Sequence, residues 1–370
     1  MQSETFDVVI VGAGVIGLSI AFRLKGSDPS LNIAVLGDTV NSAMASRAAA
    51  GMLAPYCECE QGNSFFRFCR ESFDRFPAFI EELTAVSGVG VYLSMNGSLM
   101  PASSVGDQWD ERLRFFREEN IPHEIWPVSR VRDRVPDLSP NCGEVIWVGE
   151  GQVNNRQLHD ALAAGAGKRG VRIFNNNVTG FQRYSNRIHA AVTDSGEIRG
   201  KKFVVAAGSW SQQIGKVLEV SMPLKPIKGQ MCRVAVEDGR LGYFIHGIGT
   251  YVVPWREGNG FVLGSTMEDR GFDALVEADV IQGLIDRAAS ILPCLKDAPL
   301  IETWAGLRPA AEDLMPIMGP SGWYENLYYS TGHYRNGILQ TPLQADYMAA
   351  TLLGALKDPI AEFSPDRYDL

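Results

Sequence analysis

The chain has 370 residues, 45% of them hydrophobic and 21% charged, with a net charge of −9. That length suits two intimately joined domains or one large α/β unit. The acidic balance argues against a nucleic-acid or anionic-membrane partner, both of which read a basic surface, and leaves an acidic small molecule open.

Residues 6–11 (FDVVIV) form a β-branched run suited to a buried parallel strand. The run leads into Gly12-Ala13-Gly14-Val15-Ile16-Gly17, a G-x-G-x-x-G, and then into an apolar helical pattern stopped by Gly26. Gly12 permits the tight turn, Gly14 lets a pyrophosphate approach the backbone, and Gly17 lets the helix pack on the strand. The helix amino end offers unpaired N–H groups, with Val15 and Ile16 at its start. Placed between strands 6–11 and 32–36, the motif predicts a dinucleotide site. The acid that usually ends the second strand and binds ribose is displaced, because Gly37 follows Leu36. Asp38, one place later, is assigned to the ribose, with water and backbone as the alternative.

Residues 46–53 (SRAAAGML) are a small-residue run that lets backbone pass close to a flat ring or, equally, forms an alanine-rich helical turn. Residues 65–86 read as a long amphipathic helix. Residues 88–100 read as strand–turn–strand, with Asn96-Gly97 as hairpin chemistry, and 107–120 as a charged helix. A helix at 157–168 and a strand at 171–174 follow, then a hairpin over 183–194. Residues 203–210 (FVVAAGSW) read as a buried strand that ends in small residues beside a cofactor. Residues 242–267 hold a third hairpin, turned at Glu257-Gly258-Asn259-Gly260. Thr341 and Pro342 are expected to cap and open a last helix running to 356.

The six cysteines contain no CxxC pair, and Cys57-Glu58-Cys59 has no histidine close behind it in the chain. They read as reduced thiols of a cytoplasmic protein, with no metal. The apolar run 8–22 follows Glu4 and Asp7 rather than Lys or Arg, which does not suit a signal peptide. No stretch reaches the roughly 20 apolar residues of a membrane span.

Several segments resemble the FAD-dependent D-amino acid oxidase superfamily, within it the glycine oxidase group. They are the G-x-G-x-x-G, 48–53 (AAAGML) with 58–60, 206–210 (AAGSW), 226–229 (PIKG), 304–309 (WAGLRP) and 332–339 (GHYRNGIL), in family order over nearly the whole chain. The resemblance implies a Rossmann-like FAD-binding domain from residues 1–87, 150–225 and 305–370. It is interleaved with a substrate domain from 88–149 and 226–304 on a mixed antiparallel sheet. It places Ala48, Ala49, Ala50, Gly51 and Met52 beside the flavin ring, Val178 at the adenosine half, and Arg335, Asn336 and Gly337 near the flavin pyrimidine edge. Ser46, Arg47, Ala207, Gly208, Trp210, His333, Tyr334 and Ile338 also belong to its cofactor site, with His333 structural rather than catalytic. Sarcosine oxidases carry flavin on a cysteine near the carboxyl end. This chain has none after Cys294, so noncovalent FAD is expected.

In the resembled group, an arginine matched by Arg308 binds the substrate carboxylate, with Tyr251 as second donor, Met267 as pocket wall and Arg335 as a further pocket arginine. Arg308 also contacts the cofactor side. A planar guanidinium can grip a carboxylate with two hydrogen bonds. Read from the residues alone, Arg308 equally pairs with Glu312 or Asp313, Tyr251 and Met267 fill core, and Arg335 is fixed by a backbone carbonyl. The expected reaction is hydride transfer from an amino acid α-carbon to flavin N5. The Gly306 carbonyl accepts from the amine, and oxygen is the final acceptor. The alternatives are a dehydrogenase using a quinone or protein acceptor, and a flavoprotein oxidising a group on a partner protein. The group's histidine two residues before the tyrosine is Gly249 here, which points to a roomier pocket. A homo-oligomer or a protein partner remains open.

Overall fold

The computed structural model describes residues 5–40, 43–236, 241–247, 249–255 and 260–370. Two large sheets organise it. In the first, strands Gly196–Val205, Thr5–Val11, Ile33–Leu36 and Arg172–Phe174 run parallel in that spatial order, and Leu327–Thr331 adds in parallel along the end of Gly196–Val205. Strands Val178–Tyr184 and Arg187–Thr193 extend one edge as a hairpin that begins five residues before the predicted one. Alternation over residues 8–11 serves both faces. Val8 and Ile10 pack under the helices Val15–Ser27, Ser64–Ser87, Asn155–Lys168 and Gly337–Leu352. Phe6, Val9 and Val11 pack on the other side with Phe203, Leu218 and Tyr329.

The second sheet runs in the order Leu300–Ala311, Leu224–Val234, Gly260–Gly264, Thr250–Trp255, Phe244–Gly247, Ser98–Pro101, Val145–Val148, His123–Trp126. All its pairings are antiparallel except that of Phe244–Gly247 with Ser98–Pro101. The helix Ala278–Ile291 closes its core through Ile281, Leu284 and Ile285. This is the mixed α/β architecture expected from the sequence. Strands Leu224–Val234 and Leu300–Ala311 run continuously across the predicted boundaries at 225/226 and 304/305.

Three local expectations change. Asn96-Gly97 does not close a hairpin. Leu93–Ser94 pairs with Gly151–Val153 in a small third sheet, whereas Ser98–Pro101 pairs with Val145–Val148. The turn instead seats Trp147, whose indole donates to Asn96 O at 2.9 Å and stands where a Gly97 side chain would be. The last helix starts at Gly337 rather than at Thr341, so Pro342 lies inside it. The Thr341 hydroxyl donates to Gly337 O at 2.9 Å instead of capping. The 107–120 helix is split, with a 3-10 turn over Gly106–Gln108 before Trp109–Glu118. The third hairpin forms between Thr250–Trp255 and Gly260–Gly264, but residues 257–259 of its turn lie outside the described residues.

Candidate active site

One cavity of about 970 Å³ runs from the Gly12–Gly17 loop to the second sheet. At its first end Gly12 has φ +123°, and a Cβ there would stand 2.2 Å from Ala206 O. The tight turn therefore requires glycine. Gly17 does not line the cavity. A Cβ on it would meet Gly12 O at 2.0 Å, so its work is to let the helix pack. Gly14 does line the cavity, and a Cβ on it would reach little besides Ser46 Oγ, at 3.1 Å. Ser46 accepts from Val15 N at 3.1 Å, which ties the small-residue run to the helix start.

Ile16, Asp38, Ala49, Ala50, Gly51, Met52, Val178, Ala207, Gly208 and Trp210 also line the cavity. Gly37, with φ +149°, explains the displaced acid: a Cβ at that position would lie 2.9 Å from Ala13 N. Only after this forced glycine does the chain reach Asp38, which holds Val40 N at 2.7 Å. Arg47 does not line the cavity and pairs with Asp160 at 2.6 Å. Asn336 does not line it either, and occupies the N-cap position of the last helix. A slot walled by glycine backbone at a helix amino end, continuing past small residues, fits a dinucleotide joined to a flat ring.

The second end is built on the Leu300–Ala311 strand. Its ladder with Leu224–Val234 sets Gly306 opposite Gly229 and Arg308 opposite Ile227. Gly306 abuts the small-residue run, since a Cβ on it would lie 2.4 Å from Ala48 Cβ. Leu307 N donates to Ala43 O at 3.1 Å and Trp304 Nε1 to Ala48 O at 2.8 Å. The strand that carries Arg308 is thus bonded to the segment assigned to the flavin.

Arg308 lines the cavity and has no carboxylate within 4.0 Å among the described residues. Asp313, its rival partner in the sequence, binds Arg367 at 2.8 Å. The Arg308 guanidinium lies over Gly229 and donates to Thr266 O at 3.1 Å and Ser265 Oγ at 2.5 Å. A half-buried arginine held by neutral oxygens keeps an uncompensated charge. Tyr251 also lines the cavity. It faces Gly264 across its hairpin, and a Gly264 Cβ would come within 2.6 Å of the Tyr251 hydroxyl. Burial pushes the phenol pKa up, so Tyr251 remains a donor at neutral pH.

Arg335 pairs with Glu58 at 2.6 Å, not with a backbone carbonyl. Met267 is 62% exposed and stands at the mouth, where it accepts from the Tyr334 hydroxyl at 3.4 Å. It is a rim residue and not a buried wall. His333 is buried, contacts Gln340 Oε1 at 2.6 Å, and has its pKa lowered to about 4 by burial. Gly337 and Ile338 line the cavity beside it. Sequence reasoning missed Ser265, which links Arg308 and Tyr251, and His246, directly across from Tyr251 in the strand pairing. Burial lowers the His246 pKa to about 3, so the ring is neutral. The only signal for either was the pairing register, which the chain does not display locally.

The geometry fits a flavoprotein. A family model described as FAD dependent oxidoreductase matches residues 7–351, and the chain belongs to that family. It is 30% identical to a glycine oxidase of Pseudomonas putida, over 97% of each chain. It is 31% identical to a bifunctional ThiO/ThiG protein of Synechocystis, over 99% of this chain, and spans about half the length of that relative. The crystal structure of glycine oxidase from Geobacillus kaustophilus superposes with a TM-score of 0.91 at 28% identity, covering 98% of both chains. FAD is therefore the cofactor. No helix among the described residues is long and apolar enough to cross a membrane.

Proposed function

We propose that this enzyme oxidises a small primary or secondary amino acid, of the class of glycine, sarcosine or a small D-amino acid. The observation that carries the reading is the Arg308 guanidinium, open to the cavity and without an acidic partner among the described residues. Arg308 and Tyr251 hold the substrate carboxylate, and Ser265 fixes the angle between them. The Gly306 carbonyl accepts from the amine. Apolar Met52 and Met231 in the wall lower the amine's pKa by desolvation. When bound, FAD would supply the acceptor for the α-hydrogen and its electron pair and the route by which those electrons reach oxygen, reduced to hydrogen peroxide. The imine product then hydrolyses to a 2-oxo acid and ammonia or an alkylamine. The sheet-by-sheet grouping of strands supports an FAD-binding part and a substrate-binding part. The six free cysteines suit a cytoplasmic setting.

The experiment is anaerobic bleaching of the yellow flavin by a panel of amino acids, with Arg308→Ala alongside. Glycine or sarcosine should bleach the wild type. Arg308→Ala should weaken apparent affinity by about 2–5 kcal/mol, the cost of stripping one side of a buried charged pair. Equal affinity in wild type and variant overturns the assignment. A second reading, in which the product or the oxidised group is handled by a protein partner, draws support from the bifunctional relative. Bleaching that no free amino acid produces would favour it.

A further inference from the structure

Cys57 has no histidine near it in the chain, but the fold brings one. His246, from Phe244–Gly247, and Glu150, just before Gly151–Val153, converge on it. The thiol sulfur, one carboxylate oxygen and one imidazole nitrogen all lie within 4.8 Å of one another. Glu150 is 0% exposed. Its Oε1 accepts from the backbone N–H groups of Tyr56 and Cys57, both at 2.8 Å. Its Oε2 accepts from the Ser98 hydroxyl at 2.7 Å and stands 3.9 Å from His246 Nε2. That nitrogen is buried and has no hydrogen-bond partner among the described residues. The sulfur lies 3.6 Å from Ser98 Oγ and 3.2 Å from Met100 Sδ. Cys57 and His246 line the flavin cavity, and Glu150 sits behind them.

We propose that Cys57, Glu150 and His246 form a three-ligand site for a borderline divalent cation of the Zn²⁺ class, its fourth position open to the cavity. A mixed sulfur, nitrogen and oxygen set is what such a cation takes in place of harder or softer ions. Tetrahedral coordination sets ligand atoms roughly 3.4–3.7 Å apart, so the 3.9 Å between Glu150 and His246 must contract a little and the sulfur, within 4.8 Å of both, must close by up to about 1 Å through side-chain rotation. Charge closes as well. One thiolate, one carboxylate and a neutral imidazole cancel a dication, which leaves a buried site neutral. Binding expels the Cys57 proton to solvent and changes no oxidation state. Ser98 and the two backbone donors are an outer shell that already orients Glu150. The cavity is the entry path.

The test uses the FAD-loaded enzyme and ZnCl₂ alone. Calorimetry in buffers of different ionisation enthalpy should show one zinc per chain with proton release. Cys57→Ser and His246→Gln should each weaken binding at least about tenfold, and Ser98→Ala severalfold. Retained flavin absorbance reports that each variant has folded. No bound zinc, or wild-type affinity in either ligand variant, overturns the proposal. None of these readouts involves turnover, so they stand apart from the identity of the amino acid substrate.

Discussion

The guanidinium of Arg308 lies where a side chain on Gly229 would be, with Nη1 only 2.3 Å from the place of a Cβ. Gly229 does not have a positive φ, so its glycine identity makes room for the guanidinium and not for the backbone. Gly229→Ala should move a flexible tip and leave the fold intact. Apparent affinity for carboxylate substrates should fall roughly 10- to 100-fold, while the thermal midpoint stays within about a few degrees. Flavin bleaching titrations and a melting curve measure the two effects. An unchanged affinity would remove Arg308 from the carboxylate site.

Gly12 and Gly14 should separate on substitution. A methyl group on Gly12 meets the Ala206 backbone, which cannot yield, so Gly12→Ala should lower stability and flavin content together. A methyl group on Gly14 meets little but the Ser46 hydroxyl and projects into the cavity. Gly14→Ala should therefore fold, yet release FAD on dilution. Melting of the apoprotein beside a fluorescence titration with FAD distinguishes them.

Glu58 neutralises Arg335 at the cavity edge, with the two side chains 15% and 36% exposed and the bonded Glu58 Oε2 buried. Glu58→Gln should free Arg335 for a second anionic group. The ratio of kcat/KM for a dicarboxylic amine over that for glycine should rise by up to about tenfold, and salt should erode the gain. A ratio that does not move would show that Arg335 cannot turn toward the substrate.

His333 sets a pH dependence of stability. Burial lowers its pKa from 6.5 to about 4, so between those values the unfolded chain binds a proton that the folded one refuses. Stability contributed by the neutral ring is present above pH 6.5 and lost as the pH falls toward 4, up to about 3 kcal/mol. His333→Gln should flatten that part of the curve in urea unfolding at stepped pH. A slope equal to the wild type's would assign the loss to other groups.

What the sequence displayed depended on how local each cause was. The helix after Gly12 and the long helix over 64–87 follow from neighbours within a few residues, and they were legible. Asn96-Gly97 carries hairpin chemistry, but the space beside Gly97 belongs to Trp147, fifty residues away, and the flanking strands join different sheets. Thr341 and Pro342 spell a helix start, yet the helix already begins at Gly337 and the threonine bonds back to it. In the site, Arg308 and Tyr251 stood out through short motifs. Ser265 and His246 did not, because only strand register sets them beside Tyr251. Arg47 looked like part of the flavin segment, but Asp160 draws it away.

One strand, Leu300–Ala311, is bonded through Trp304 to the small-residue run and through Leu307 to Ala43 just before it, and presents Arg308 one residue further on. Loading the cofactor and loading the amino acid are thereby reciprocal equilibria. Whatever factor flavin adds to the hold on a carboxylate, the carboxylate returns to the hold on flavin.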